Sequence, residues 1–493
     1  MKNSKSKFLI IKLILVLLLI ISFSGMSGCG QTKETKQSQI TETYKNEKNR
    51  LTQELPLNKE ILQDKSVFYK CDLQRTGVFE GENPKLKGEV LWNLEIKEKF
   101  SEKGMGIEPR SSPIIFEDFL YIGNIDHNMY AIDANTGKLN WSFKTGGPII
   151  SSAALWNRTL YFGSEDGFFY AVNIDTHKLR WKYRTDGPIY SSPAIAEKMV
   201  FFGSTDGTFY ALDALTGEEK WKFDTKQSIS CNPAIHNNRI YFVSNPEERA
   251  GSSKEDNLPK ILALDLITGA KIWCLEVDKK SHLDNFCIKG NYMFVGFYSL
   301  LLASHRADCQ GIVAVHTGSE TETSPPKATF LWFFPSLSSG SIVEPSCNAD
   351  TLCFSAGNVY AVNIGDTRKI GERYQDYISI YEYMWEYKVK AHSRAESVLD
   401  QANAPPAFSG DGNVVYFGDN HGYLHAVETD TGKEILLYKP PLLIPYSDIL
   451  SEFRSITSFP VLYKGKVYIY LCGGYTEYEN RNEKQFGVLY CIQ

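Results

Sequence analysis

The chain has 493 residues, 43% of them hydrophobic, which is enough apolar material for a globular core but more chain than one ordinary domain holds. Its formal net charge is −5 and it has no run of five or more like charges, which argues against nucleic acid as a partner because phosphate binding needs a basic footprint. Internal repeats are the usual way for so long a chain to form one fold.

Residues 1–28 are predicted to be a signal peptide. Lys2, Lys5 and Lys7 lead into an uninterrupted apolar run over residues 13–21, which is too short to cross a bilayer comfortably. The small residues just before Cys29 resemble a bacterial lipobox, and this resemblance implies cleavage before Cys29 and acylation of its thiol. A plain signal peptide or an uncleaved anchor is the alternative.

Residues 29–66 are polar and charged, with almost no aromatic side chains, and they predict a tether between the lipid and a globular region over residues 67–493. The lipid would hold the protein at a bacterial membrane outside the cytoplasm. The two places that fit are the periplasmic side of an outer membrane and the outer face of a plasma membrane.

The globular region contains a repeat whose period is 40 residues. The stretch RSSPIIFEDFLYIGNIDHNMYAIDANTGKLNWSFKT begins at residue 110, and related stretches begin at residues 150 and 190. Each unit has four short runs rich in aromatic and β-branched residues, separated by turn signals such as Asp166-Gly167, which predicts four strands per unit. Four strands in about forty residues is the size of a propeller blade.

Five further units follow, with insertions. The fourth, fifth and sixth end near Trp273, Trp332 and Trp385, the seventh has Leu436 where a tryptophan would fall, and the eighth stops after FGVLYCIQ. The missing last strand of the eighth unit is matched by LKGEVLW, which ends at Trp92. The predicted fold is therefore all-β: an eight-bladed β-propeller of four-stranded antiparallel blades, whose last blade is closed by an N-terminal strand that removes an open sheet edge.

The motif YAIDANTGKLNW at residues 130–141 and its copies resemble the repeat of PQQ-like, quinoprotein-type propellers over roughly residues 67–493. The segment YKCDLQRTGVFEG from residue 69 resembles the entry segment of many such proteins. The resemblance implies that one tryptophan per blade docks across the gap to a neighbouring blade, a structural role in which its loss costs about 3–5 kcal/mol. The predicted docking residues are Trp92, Trp141, Trp181, Trp221, Trp273, Trp332 and Trp385.

Quinone-dependent dehydrogenases share this repeat, and as a family they use adjacent cysteines, a calcium ion held by Glu, Asn and Asp, and a catalytic Asp. This sequence has no Cys-Cys pair, and no cofactor, metal or catalytic residue is predicted. His421 and His425 are four residues apart, but we expect them on a turn and a strand rather than on one helix face. Fold alone does not establish function.

Acylation of Cys29 would leave nine cysteines, an odd number, so at least one is expected to be free or intermolecular. Two disulfides are suggested by predicted strand neighbours, Cys347 with Cys353 and Cys472 with Cys491. The alternative is that these residues are small buried apolar side chains.

The insertions can be assigned to the two faces of the propeller. With the strands of each unit named A to D, the D–A and B–C connections emerge on one face, here called the insertion face, and the A–B and C–D connections on the other. The insertion face is predicted to carry residues 99–109, 244–259, 297–310, 391–403, 439–455 and 473–485, and the other face residues 317–328 and 364–378.

Loops on a rigid scaffold are frequent binding sites, and Arg and aromatic residues are the usual anchors of protein interfaces. The candidate partner-binding residues on the insertion face are Arg110, Arg394, Arg454, Phe453 and Tyr446. The alternative for each is a solvated loop residue.

The preferred function is a non-enzymatic, membrane-tethered scaffold that binds another cell-envelope protein, as a monomeric propeller. By resemblance it is similar to the propeller lipoproteins of the outer-membrane protein assembly machinery. The alternatives are a binding or sensor module for a small molecule or polysaccharide and, less favoured, a PQQ-dependent dehydrogenase.

Overall fold

The computed structural model describes residues 67–96, 111–246, 258–277, 281–299, 308–317, 328–336, 345–364, 384–389, 404–441 and 449–493, apart from positions 68, 71, 74, 76, 80–83, 85, 86, 357, 457 and 478–482. All of these fall within the unit Lys65–Gln493. The predicted signal peptide, Cys29 and the tether lie outside the described residues.

The described residues form 33 strands and no helix. The first strand is β1 (Val90–Ile96). Blades 1 to 4 follow as β2 (Ile114–Phe116), β3 (Phe119–Gly123), β4 (Asn128–Asp133), β5 (Leu139–Lys144); β6 (Ala154–Trp156), β7 (Thr159–Gly163), β8 (Phe168–Asn173), β9 (Leu179–Arg184); β10 (Ala194–Ala196), β11 (Met199–Gly203), β12 (Thr208–Asp213), β13 (Glu219–Asp224); and β14 (Ala234–His236), β15 (Arg239–Ser244), β16 (Lys260–Asp265), β17 (Lys271–Glu276).

Blades 5 to 8 continue in the same order. They are β18 (Ser281–Lys289), β19 (Tyr292–Ser299), β20 (Asp308–His316), β21 (Ala328–Ser336); β22 (Ser346–Cys347), β23 (Thr351–Ala356), β24 (Asn358–Asn363), β25 (Trp385–Tyr387); β26 (Ala407–Phe408), β27 (Val414–Gly418), β28 (Leu424–Glu428), β29 (Glu434–Tyr438); and β30 (Ile449–Ile456), β31 (Val461–Tyr463), β32 (Lys466–Glu477), β33 (Glu483–Ile492).

The strands form eight antiparallel sheets. In seven of them four strands pair in chain order, and the eighth has the order β1-β33-β32-β30 with β31 also paired to β32. The all-β, eight-bladed prediction is thus confirmed. Apolar clusters lie between neighbouring blades; one of them joins residues of blades 3, 4 and 5, so each blade depends on its neighbours for a buried core.

The outer strand of blade 8 comes from the N-terminal side of the chain. β1 pairs antiparallel with β33, and Trp92 lies opposite Cys491 just as Trp141 lies opposite Ala131 in blade 1. The backbone groups of Glu89 and Gln493 exchange two further hydrogen bonds of 2.9 Å. The register is the one expected from matching LKGEVLW with NTGKLNW.

The tryptophan of one blade packs on the Thr-Gly turn of the next blade. A Cβ atom on Gly137 would lie 2.5 Å from the Trp92 ring, so only glycine fits under that ring, and Gly137 also has a φ of 70°. The same contact joins Trp181 to Gly217, Trp221 to Gly269 and Trp385 to Gly432.

Blade 2 has a histidine in place of this glycine. The ring of Trp141 stacks on the imidazole of His177, with centroids 5.0 Å apart, and His177 keeps the positive φ of the turn. Trp332 lies in β21, where the structure gives the course of the backbone. The repeat therefore preserves the turn conformation even where the glycine is lost.

The aspartates after strand C stabilise the turn locally. Asp133 Oδ1 accepts hydrogen bonds from the backbone N–H groups of Asn135 and Thr136, and Asp265 does the same for Ile267 and Thr268. A short acceptor that caps its own turn is the structural role predicted for these residues.

A series of hydrogen bonds between neighbouring blades runs around the axis. A backbone N–H just before strand A donates to a side-chain oxygen in the following blade, and all these groups are buried or nearly so. The bonds are Phe459 N–H to Ser112 Oγ (2.9 Å), Ser112 N–H to Ser152 Oγ (2.8 Å), Ser152 N–H to Ser192 Oγ (3.0 Å), Ser192 N–H to Asn232 Oδ1 (2.6 Å) and Asn232 N–H to Asn285 Oδ1 (3.0 Å). The repeated Ser-Ser-Pro motif thus has a structural role: its serines form hydrogen bonds that join blades 8, 1, 2, 3, 4 and 5.

Both predicted disulfides are wrong. Cys347, Cys353, Cys472 and Cys491 are all free thiols. Cys347 lies opposite Leu352 and Cys353 opposite Ser346, and Cys472 and Cys491 lie opposite Gly487 and Tyr468. Neighbouring strands were correctly identified, but the pairing register keeps the two sulfur atoms of each pair apart.

Candidate functional site: the insertion face and the filled axis

The described residues include two of the five candidate partner-binding residues, and these two are adjacent in the sequence. Phe453 and Arg454 lie in β30, where they pair with Gly474 and Gly473 of β32. Arg110, Arg394 and Tyr446 lie outside the described residues. The prediction of a loop over residues 439–455 is therefore wrong for its last part, which is a strand of blade 8.

Two more predicted loops on the insertion face are partly strand. In blade 8, β32 and β33 pair as far as Thr476 and Glu483, which extends the sheet into residues 473–485. In blade 5, β19 and β20 pair as far as Ser299 and Cys309, which extends the sheet into residues 297–310. Runs such as YMFVGFYS and KVYIYLCGGYTE are rich in residues that favour strands, and pairing satisfies their backbone N–H and C=O groups.

Among the described residues, the extended sheet of blade 8 has a backbone edge with no strand neighbour on the insertion face. β1 follows β33 only as far as the pair between Ile96 and Gly487, whereas β33 begins at Glu483. Among the described residues, the first four positions of β33 thus have a strand neighbour on one side only. Unpaired strand edges can accept a strand from another chain.

The axis of the propeller is crossed by residues 67–79, here called the axial segment. Val67 forms a bridge with Leu155 of blade 2, and Val78 with Phe408 of blade 7. Between them the carbonyl of Leu73 accepts from the N–H of Ile235 in blade 4. Because these partners belong to inner strands on different sides of the ring, the segment must pass through the centre.

Arg75 anchors the axial segment. Its guanidinium donates to the carbonyl oxygens of Pro233 (2.9 Å), Tyr69 (2.7 Å), Ser192 (3.2 Å) and Pro193 (2.9 Å), and the side chain is 1% exposed. Burial lowers the pKa of Arg75 to about 10, while the nearby carboxylate of Asp72 opposes that shift. The cation is held by backbone dipoles and thereby fastens the segment to blades 3 and 4.

The opposite side of the ring is held by Lys70 and by aromatic packing. Lys70 Nζ donates to the carbonyl of Pro345 in blade 6 at 3.0 Å, and Phe459 of blade 8 packs against Tyr69 and Phe79 with ring centroids 5.8 Å and 5.5 Å apart. The sequence resemblance singled out an entry segment at this place but assigned no role to Arg75 or Lys70.

The residues on the axis do not fit a quinone cofactor. PQQ is planar and anionic, so a site for it needs an open slot and available cations. Here Tyr69, Lys70 and Arg75 are buried within the axial segment, and both cations donate to backbone carbonyl groups. The centre of this propeller is built as a structural core.

His421 and His425 occupy a turn and strand β28, as predicted. His425 Nε2 lies 3.0 Å from Asp419 Oδ2 and Nδ1 lies 3.2 Å from the hydroxyl of Tyr387, which itself donates to Glu434. His425 and Asp419 are fully buried, and burial together with Glu434 raises the pKa of Tyr387. This network links blade 6 to blade 7, and its histidine and aspartate have no surface open to solvent.

In the described part of the chain, no group of three or more His, Cys, Asp or Glu side chains is placed to hold a metal ion. The same residues include no helix long and apolar enough to cross a membrane.

Comparison with protein families gives one match. Residues 147–292 match the family model described as outer membrane protein assembly factor BamB. A search of curated proteins gave no significant match. The matched residues run from the end of blade 1 into β19 of blade 5.

Solved structures share the fold at low sequence identity. BamB from Moraxella catarrhalis is 14% identical with a TM-score of 0.50, over 81% of this chain and 97% of that one. Quinohemoprotein alcohol dehydrogenase from Comamonas testosteroni is 14% identical with a TM-score of 0.58, over 86% and 80% of the two chains. The quinohemoprotein alcohol dehydrogenase ADHIIG from Pseudomonas putida HK5 is 12% identical with a TM-score of 0.56, also over 86% and 80%.

The similar structures include BamB and two quinohemoprotein alcohol dehydrogenases. The similarity therefore supports the fold and leaves the activity open. Together with the 40-residue repeat, the seven four-stranded sheets and the eighth sheet that includes β1, they identify the fold as an eight-bladed β-propeller.

Proposed function

We propose that this protein is a non-enzymatic β-propeller scaffold that binds another protein of the cell envelope. The observation that carries the proposal is the axial segment, whose Arg75 and Lys70 are buried and bound to carbonyl groups of blades 3, 4 and 6. A propeller whose centre is filled by its own chain has its faces and rim left for binding.

The insertion face supports protein binding in particular. Blades 5 and 8 extend their sheets there, and the start of β33 has an unpaired backbone edge among the described residues. An unpaired strand edge suits a partner that adds a strand, because main-chain hydrogen bonds supply affinity and alternate side chains supply specificity. Phe453 and Arg454 lie on β30 of the same extended sheet.

The proposed location is a bacterial membrane surface outside the cytoplasm, with lipid on Cys29. The basic, apolar and small-residue pattern of residues 1–29 supports it, and residues 147–292 match a family model whose description names outer membrane protein assembly. In this proposal the polar residues 29–66 form the tether, and the propeller acts as a monomer.

Changing Cys29 to Ala should abolish lipid labelling and release the protein from the membrane fraction. The expected cause is loss of the only thiol at the lipobox-like site. The measurement is incorporation of a clickable fatty acid in the producing bacterium, with fractionation of the cells. Cys274→Ala is the matched control, since that half-buried thiol lies within β17, and it should keep both label and location. Equal labelling of the Cys29→Ala variant would rule out lipidation there.

Partner binding can be tested by photo-crosslinking in the intact full-length protein. A photoreactive residue in place of Phe453 should give one discrete crosslinked envelope protein, because it lies in the extended sheet of blade 8. The same residue in place of Leu139, which is 51% exposed on the rim of blade 1, should give none.

Two results would overturn the scaffold proposal. Crosslinking to carbohydrate or to no macromolecule at Phe453, with retention of a small molecule or polysaccharide by the purified protein, would favour the binding or sensor module. Alcohol oxidation by the purified protein after addition of PQQ and calcium, detected with an artificial electron acceptor, would show an enzyme.

A further inference from the structure

Two buried cysteines face each other across the interface between blades 5 and 6. Cys287 lies on β18 and Cys347 on β22, and both are fully buried in one apolar cluster with Phe294 and Leu352. The two strands pack against each other, and Cys347 Sγ is 4.0 Å from the carbonyl oxygen of Ile288, the residue after Cys287.

The repeat explains why these two positions meet. Counting back from the A–B turn, Cys287 takes the place of Ala194 and Ala234, and Cys347 takes the place of Ile235. At the interface between blades 3 and 4, Ala194 and Ile235 lie in one core cluster, as an alanine of one blade facing an isoleucine of the next. Blades 5 and 6 make the same contact with two thiols.

We propose that Cys287 and Cys347 form a disulfide bond between blades 5 and 6 when the protein folds under oxidising conditions. Disulfides persist in compartments outside the cytoplasm, and a crosslink between blades constrains the unfolded chain over the intervening residues. The proposal goes beyond the scaffold function and does not depend on it, because its test uses the purified chain alone.

The reaction is thiol–disulfide exchange with a small disulfide such as oxidised glutathione. The thiolate of one cysteine attacks a glutathione sulfur, which forms a mixed disulfide and releases one glutathione thiolate. The second cysteine thiolate then attacks the protein sulfur of the mixed disulfide, which forms the Cys287–Cys347 bond and releases the second glutathione. The protein loses two electrons to the oxidant, and its two thiol protons pass to solvent.

Exchange must take place before the interface between blades 5 and 6 closes. In the folded protein no surface of either sulfur is open to a dissolved oxidant. The hydrogen bond with Cys287 and burial also raise the pKa of Cys347, so its nucleophilic thiolate is scarce in the folded state. Oxidant added to the folded, reduced protein should therefore leave both thiols intact, whereas oxidant present during folding should join them.

The test is refolding of the full chain in mixtures of oxidised and reduced glutathione, and in parallel with reductant alone. Free thiols are then alkylated, and the protein is digested without reduction for mass spectrometry. Oxidative refolding should yield a peptide pair joined through Cys287 and Cys347, and addition of reductant should lower the denaturation midpoint. The Cys353→Ala variant, which changes a buried thiol facing another cluster, should behave in the same way.

The repeat supplies two variants that remove the bond with little risk to the fold. Cys287→Ala and Cys347→Ile each introduce the residue found at the equivalent position of blade 4, Ala234 and Ile235. Both should lose the joined peptide pair and the response of the midpoint to reductant. The proposal is overturned if oxidative refolding of the unaltered chain leaves Cys287 and Cys347 alkylated, joins either of them to a different cysteine, or gives a reductant response that persists in both variants.

Discussion

Deletion of residues 486–493 is expected to abolish cooperative folding of the propeller. These residues form most of β33, which lies between β1 and β32, so its loss removes two strand interfaces and exposes two sheet edges. Leu489, Tyr490, Cys491 and Ile492 are all at most 1% exposed. Burying each large apolar side chain stabilises a protein by about 1.5–3 kcal/mol, so the loss is comparable to the whole stability of a domain.

Circular dichroism during heating, together with hydrogen exchange, would show whether the truncated chain keeps a cooperative transition.

A single substitution in β1 tests the same closure with a smaller expected effect. Trp92→Ala should lower the free energy of unfolding by about 3–5 kcal/mol, because it empties the contact with Gly137 of blade 1. If either variant melts at the temperature of the unaltered protein, β1 and β33 do not hold the ring together.

A matched pair of phenylalanine variants separates the indole hydrogen bond from ring packing. Trp92 Nε1 donates to the carbonyl of Ala134 at 2.9 Å, whereas Trp221 Nε1 is buried without a partner among the described residues. Trp92→Phe should therefore cost about 1 kcal/mol more than Trp221→Phe, the usual net value of one hydrogen bond.

Replacement of Arg75 by Met is expected to lower the free energy of unfolding by about 3–5 kcal/mol, because hydrogen bonds to a charged group contribute about 1.5–3 kcal/mol each and several are lost. The variant keeps the length and apolar stem of the side chain but leaves the carbonyls of Pro233 and Pro193 without their donor. Chemical denaturation followed by tryptophan fluorescence measures the change.

Two further variants make the Arg75 test specific. Arg75→Lys keeps the charge but lacks the planar set of guanidinium N–H donors, so it should recover only part of the lost free energy of unfolding. Arg158→Met is the surface control, because Arg158 pairs with Glu117 and Asp175 while 41% exposed, and it should cost about 0–1 kcal/mol. Equal effects of Arg75→Met and Arg158→Met would mean that the axial segment contributes little to stability.

The blades could be predicted from the sequence because their signals are local. The ten-residue spacing from Ala131 to Trp141 recurs from Ala263 to Trp273, and in both blades these residues face each other on strands C and D. Strand pairing across the ends of the chain was also predictable, since the segment around Trp92 carries the same motif as the strand that is missing after Cys491.

The path of the axial segment could not be predicted in this way. The acceptors of Arg75 are backbone carbonyl groups, which every residue carries, so no side-chain pattern marks Ser192 or Pro233 as its partners. The serine series around the axis has a visible signal, the Ser-Ser-Pro repeat, but the hydrogen bonds join equivalent positions of different blades. The 40-residue period shows that these positions are equivalent in the blades, but it does not show that they form hydrogen bonds with one another.

The disulfide predictions failed for a related reason. Proximity of strands in the chain suggested Cys347 with Cys353, but alternate side chains on a strand face opposite neighbours, and these two fall in different core clusters. Cys347 shares its core cluster with Cys287 of the preceding blade. The sequence predicts loops where blades 5 and 8 have extended strands, because the lengths of these two units depart from the regular repeat.

The axial segment has a consequence for how the chain is made. It precedes every blade in the sequence, yet Lys70 binds a carbonyl group 275 residues further on, and Phe79 packs against Phe459. A chain synthesised from its N-terminus can therefore form these two contacts only after blade 6 and the start of blade 8 have been made. Contacts so distant in sequence slow folding, because the loop must close before they form. Completion of the propeller's centre is therefore a late step in folding, and the unfinished ring leaves apolar surface uncovered while its centre is still vacant.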